Sequence, residues 1–140
     1  MTDDLKNILL AGGHSLVVAN PDVRTFDGMG VSDLMRILNT EPDALFGARL
    51  ADKVVGKAAA SLMAVGGVGE VYADVLSMTG FAMLSRAGIP VTYGKLVDHI
   101  VNRAGTGICP LEERCLPCET TDECLAQIKA FVAEMKKRHT

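Results

Sequence analysis

The stretch Leu50–Gly67, LADKVVGKAAASLMAVGG, decides the fold. A short apolar run, Ala48-Arg49-Leu50-Ala51, reads as a strand, and Asp52-Lys53 reads as the turn that ends it. From Val54 the chain becomes an alanine-dense helix that closes at Gly66-Gly67. Strand, turn and helix make the first half of a βαβ unit. The design returns 22 residues on, where Ala73-Asp74 repeats Ala51-Asp52 and a second helix again ends in glycine. Strands joined in this way run parallel, through a right-handed crossover.

Outward from this centre, Asp3–Ala11 reads as an amphipathic helix, and Ser15–Asn20 with Val23–Asp27 as a hairpin about Asn20-Pro21-Asp22. A helix capped by Ser32 runs to about Asn39, with one more turn after Glu41. Downstream, Glu70–Leu76 is a strand, Ser77 or Thr79 opens a helix to Ala87, and Pro90–Val97 is the next strand. Asp98–Arg103 is strand or loop, Ala104–Pro110 is a loop, and Glu112–Cys118 shows no period. Thr120-x-x-Glu123 is a capping box that opens a final helix to about Arg138. The expectation is a single α/β domain over 1–140: a mixed sheet with an N-terminal hairpin, parallel strands and helices on both faces. A cysteine-containing segment and helix occupy about 109–138.

The composition narrows the function. The net charge of −3 argues against a nucleic-acid partner. No apolar run is long enough to span a membrane. The acidic start, Met-Thr-Asp-Asp, is wrong for a signal peptide, so a cytoplasmic protein with reduced thiols is expected. Six aromatic residues (4 Phe, 2 Tyr) leave an aliphatic core. The aliphatic surplus points to a homo-oligomer, most simply a dimer.

Ligands of open α/β sheets lie beyond the carboxyl ends of the parallel strands, where helix N-termini point. That edge gathers Asp52, Lys53 and Lys57 from one unit and Asp74 and Ser77 from the next. Asp52 and Asp74 are expected side by side, although helix capping alone explains either one. A glycine loop, with Lys95 and Arg103 near it, offers Thr106-Gly107 as an anion nest and Cys109 as a thiol beside it. Asp52, Lys57 and Cys109 are the catalytic candidates, and Asp52, Lys53, Lys57, Asp74, Ser77, Lys95, Arg103, Thr106 and Gly107 are the ligand-binding candidates. Gly56-Lys57 is not a phosphate loop, because Ala51 and Ala58 stand where Gly and Ser or Thr are needed. Gly67-Val68-Gly69 follows a helix and precedes a strand, the reverse of a dinucleotide loop.

Cys109, Cys115, Cys118 and Cys124 are spaced C-x5-C-x2-C-x5-C, which raises zinc or an iron–sulfur cluster as the alternative. Only Cys115-Leu116-Pro117-Cys118 has ligand spacing, and no cofactor is expected.

The runs Gly30-Val31-Ser32-Asp33-Leu34, Ala51-Asp52-Lys53-Val54-x-Gly56-Lys57-Ala58-Ala59-Ala60, Val71-Tyr72-Ala73-Asp74-Val75, Tyr93-Gly94-Lys95-Leu96-Val97 and Asn102-Arg103-x-Gly105-Thr106-Gly107-Ile108-Cys109-Pro110 resemble a family of domains of unknown function, DUF1893, over about residues 14–113. The resemblance implies a cytidine-deaminase-like fold, a three-layer α/β/α sandwich. It brings no activity. Zinc deaminases carry H-x-E and P-C-x-x-C at two helix starts, and the corresponding starts here, Asp52–Lys57 and Asp74–Met78, hold neither His nor Cys. The functional expectation is a small-molecule site for a nucleotide-like or anionic ligand, without zinc deamination. The alternatives are a non-catalytic oligomeric interaction module or a metal-binding protein.

Overall fold

The computed structural model describes residues 3–28, 31–102 and 105–138, so Arg103 lies outside the described residues. Five strands form one sheet in the order β2-β1-β3-β4-β5. The hairpin of β1 (Leu16–Ala19) and β2 (Val23–Phe26) is antiparallel, and β1 also runs antiparallel to β3 (Arg49–Val55). β3, β4 (Glu70–Ser77) and β5 (Val91–Val97) are parallel, as short βα units require.

Helices cover both faces. On one, Leu5 and Leu9 of α1 (Asp3–Ala11) pack on Val17, Ala19, Ala51 and Tyr72. The other face holds the larger core, where Leu16, Val18, Leu50, Val71 and Ala73 meet α2 (Ser32–Thr40), α3 (Lys57–Gly66) and α4 (Met78–Arg86). α5 (Pro110–Cys115) and α6 (Thr121–Arg138) pack against α3, which is therefore buried along every residue from Lys57 to Met63. A helix enclosed in this way must be apolar all round, and the Ala58-Ala59-Ala60 run meets that need with side chains small enough for close approach. α4 opens with Ser77 accepting the Gly80 N–H at 3.0 Å. The expected capping box of α6 is present, with the Glu123 N–H on Thr120 Oγ1 at 3.1 Å. No helix among the described residues is long and apolar enough to cross a membrane.

Four expectations change. Ser32 is the first residue of α2 rather than its cap; Val31 stands at the cap position, and among the described residues no side chain caps the helix. β3 does not end at Ala51. It continues to Val55, and α3 starts at Lys57, so Asp52 and Lys53 are strand residues rather than a turn. The β-branched Val54-Val55 extends the strand past the charged pair. Glu112–Cys118 contains the end of α5, whose start carries Pro110 at the first position and Glu112 and Glu113 in the first turn. Asp52 and Asp74 are not side by side. The parallel ladder pairs Arg49 with Glu70 and Asp52 with Ala73, an offset of 21, whereas the sequence echo has an offset of 22. One residue of difference turns a strand side chain to the opposite face.

The ladder also has a step. Pairing runs to Asp52–Ala73, passes over Lys53 and Asp74, and resumes at Val54–Val75. Between β4 and β5 it passes over Asp74 and Gly94 in the same way. Leu50 faces the large core before the step and Val55 faces it after, so the alternation changes phase.

Candidate functional site

A cavity of about 510 Å³ opens at the carboxyl end of β3. The step in the sheet presents three successive residues to it, Asp52, Lys53 and Val54, which a straight strand of period two does not do. The ends of the hairpin supply His14 and Asp27, with His14 Nδ1 and Asp27 Oδ1 2.7 Å apart. The start of α3 contributes Gly56, Ala58 and Ala59, and the segment entering α5 contributes Cys109, Leu111 and Glu112.

Asp52 is 7% exposed. Its Oδ1 accepts the Val54 N–H at 3.3 Å, and no cation pairs with it among the described residues. Burial pushes its carboxyl up to about 7. The N–H groups of Val54 and Lys53 oppose the rise and Asp33 adds to it. The group therefore changes charge near neutrality while facing the cavity.

Glu112, 3% exposed, occupies the N-terminus of α3. Both carboxylate oxygens accept the Lys57 N–H at 2.9 Å. Oε1 also accepts Thr79 Oγ1 at 2.9 Å and Ser77 Oγ at 3.3 Å, so one carboxylate joins the starts of α3 and α4. Gly56 makes room for it, since a Cβ there would fall 2.2 Å from Oε2. In return the Lys57 ammonium reaches past α5, donating to Leu116 O at 2.9 Å and to Cys118 O.

Of the residues singled out in the sequence, Asp52, Lys53 and Cys109 line the cavity together. Lys57 does not; its ammonium is committed to two backbone carbonyls. Ser77 is fully buried as the cap of α4. Asp74 accepts the Tyr72 hydroxyl at 3.0 Å, and Tyr72 belongs to the α1-side core. Lys95 is exposed on β5. Thr106 and Gly107 are exposed, and the nest is already closed, because the Thr106 N–H donates to Asn102 Oδ1 at 3.1 Å.

The cysteines divide. Cys109 is half-buried on the cavity. Cys115, Cys118 and Cys124 belong to the large core. Burial, with Cys124 and Cys118 beside it, pushes the Cys115 thiol up to about 12, and burial and Cys124 raise Cys118 as well. Such thiols are poor nucleophiles. Among the described residues, no three His, Cys, Asp or Glu side chains converge as a metal set.

Sequence reasoning missed His14, Asp27 and Glu112. The hairpin register, Leu16 with Phe26, carries a signal for the first two, because continuing it outward brings residues 14 and 27 close together. Glu112 has only the weak signal of a proline-started helix.

This is a mixed α/β domain with its cavity at the end of the parallel strands. The model of the family described as "Domain of unknown function (DUF1893)", TM1506, matches residues 4–132, and the chain belongs to that family. The crystal structure of a DUF1893 family protein (TM1506) from Thermotoga maritima has the same fold: TM-score 0.84 at 20% identity, over 91% of this chain and 86% of that one. No curated protein matches the chain.

Proposed function

We propose that the protein binds a small polar molecule in the cavity beside Asp52. One observation carries this reading: a carboxyl more than nine-tenths buried, with no cation paired to it among the described residues, lines a cavity at the carboxyl end of a parallel strand. A buried charge is costly unless something compensates it, and a hydrogen-bonding ligand is the simplest compensation. The cavity, about 510 Å³, suits a molecule of nucleoside size. The cytidine-deaminase-like description of the fold is proposed with it, supported by the mixed sheet with helices on both faces. The reading is of binding, not turnover.

The test is thermal unfolding against nucleosides, nucleotides, amines and carboxylates, in wild type and in Asp52→Asn. At least one class should raise the melting temperature of the wild type and leave that of Asp52→Asn unchanged. A flat response across the panel defeats the reading.

A second reading, an oligomeric interaction module, rests on β5. This edge strand is exposed from Thr92 to Leu96, including Tyr93 and Leu96. An edge of this kind invites pairing with another chain. Light scattering that finds only monomer at micromolar concentration removes it.

A further inference from the structure

We infer that the cavity takes a protonated nitrogen group, an amine or amidinium carried on an apolar body, rather than a phosphate or carboxylate. This deepens the proposed small-molecule reading and rests on it.

A helix N-terminus at the end of a parallel strand is ordinarily an anion seat, because unpaired N–H groups and the helix dipole both favour negative charge. Here the seat is filled from within. The Glu112 carboxylate takes the Lys57 N–H and the hydroxyls of Ser77 and Thr79, and Gly56 lacks the Cβ that would exclude it. The Lys57 ammonium, a second feature that would favour an anion, is turned to Leu116 O and Cys118 O, and Lys53 on the cavity rim is exposed. A ligand anion would therefore meet a seat already holding a negative charge.

What the cavity does offer is acceptors. Asp52 presents a buried carboxyl held, among the described residues, by backbone N–H groups alone, the Val54 N–H at 3.3 Å and the Lys53 N–H. Around it stand Val31, Val54, Ala58, Ala59 and Leu111, an apolar wall suited to the body of a ligand. An amidinium pairs with a carboxylate through parallel N–H donors, and exclusion of water strengthens that pair. The titratable groups that line the cavity with Asp52 are His14, Asp27, Lys53, Cys109 and Glu112, with Asp33 adding its negative charge. Lys53 is exposed. His14 is held by Asp27.

The test is an isosteric pair. Benzamidine and benzoate share size and shape and differ in the sign of charge. Each is titrated by calorimetry into the full chain at pH 8 and pH 6, beside inorganic phosphate and uncharged nucleosides. Benzamidine should bind saturably at pH 8 and about tenfold more weakly at pH 6, where Asp52 holds its proton. The same pH dependence should persist in His14→Gln, which removes the imidazole, and binding should vanish in Asp52→Asn. Benzoate and phosphate should not bind the wild type. In Glu112→Ala, acetate should restore part of the lost melting temperature by refilling the seat. Should that variant not fold, the benzamidine–benzoate comparison on the wild type decides alone. If benzoate, phosphate or only uncharged nucleosides bind, the inference is overturned and the cavity remains a ligand site. If no probe of any charge binds, both readings fall.

Discussion

The β3–α3 and β4–α4 units share a short echo in sequence and are opposites in chemistry. Each strand carries an Ala-Asp pair, and each leads into a helix, α3 enclosed and α4 buried on one side only. Asp52 ends on the large-core side, buried at a cavity with no cation paired to it among the described residues. Asp74 ends half-buried on the other side, satisfied by the Tyr72 hydroxyl. The helices differ as well. α4 is capped by its own Ser77, whereas α3 begins at Gly56 with no side-chain cap of its own and borrows Glu112. A single-residue difference between echo and register separates a functional candidate from a half-buried structural hydrogen bond.

The comparison can be broken most forcefully at Glu112. Glu112→Ala strands the Lys57 N–H and two hydroxyls at once, and should destabilise the fold by on the order of 3 kcal/mol in urea unfolding. A loss equal to that of an ordinary surface substitution would show that the two helix starts are not joined through it. Lys57→Met should cost about 2 kcal/mol, because two carbonyls lose their donor. A ligand-binding lysine would leave stability unchanged on the same substitution.

Asp52→Asn sharpens the contrast through pH. Asp52 is raised from 3.8 to about 7. Between those values the folded chain keeps a proton that the unfolded chain has released, so this group makes stability fall as pH rises. Asn keeps the acceptor for the Val54 N–H and never ionises. The variant should therefore gain on the order of 2 kcal/mol over wild type at pH 8 and almost nothing at pH 4. An equal effect at both pH values would mean that the carboxyl is not buried as a charge. Asp74→Asn should change stability by less than about 1 kcal/mol at pH 8. A pH-dependent gain like that of Asp52→Asn would erase the distinction between the two units.

The order of elements, the mixed sheet and helices on both faces were readable because hydrophobic periodicity and glycine punctuation agree along most of the chain. What was not readable came from geometry that periodicity does not encode. Val54-Val55 continued a strand through a charged pair, and a step in the ladder shifted the phase at Lys53, Asp74 and Gly94. Gly94 does carry a hint of that step, since a Cβ there would lie 2.8 Å from Asp74 O. Of the candidate site, Asp52, Lys53 and Cys109 were legible, while Lys57 was assigned to a ligand when its partner is the chain itself. Glu112 lies 55 residues from the N–H it accepts, beyond the reach of any local pattern.

That separation sets an order of events during synthesis. α4 can close as soon as its own first turn emerges, because Ser77 and Gly80 are neighbours in the chain. α3 emerges earlier yet waits, its first N–H and its lysine unpaired until residues 112 to 118 arrive. Closing so long a loop is slow beside local helix formation. The cavity is thus finished only once the segment carrying α5 has emerged, and a nascent chain that stops short of α5 holds the sheet's strands without one wall of the site.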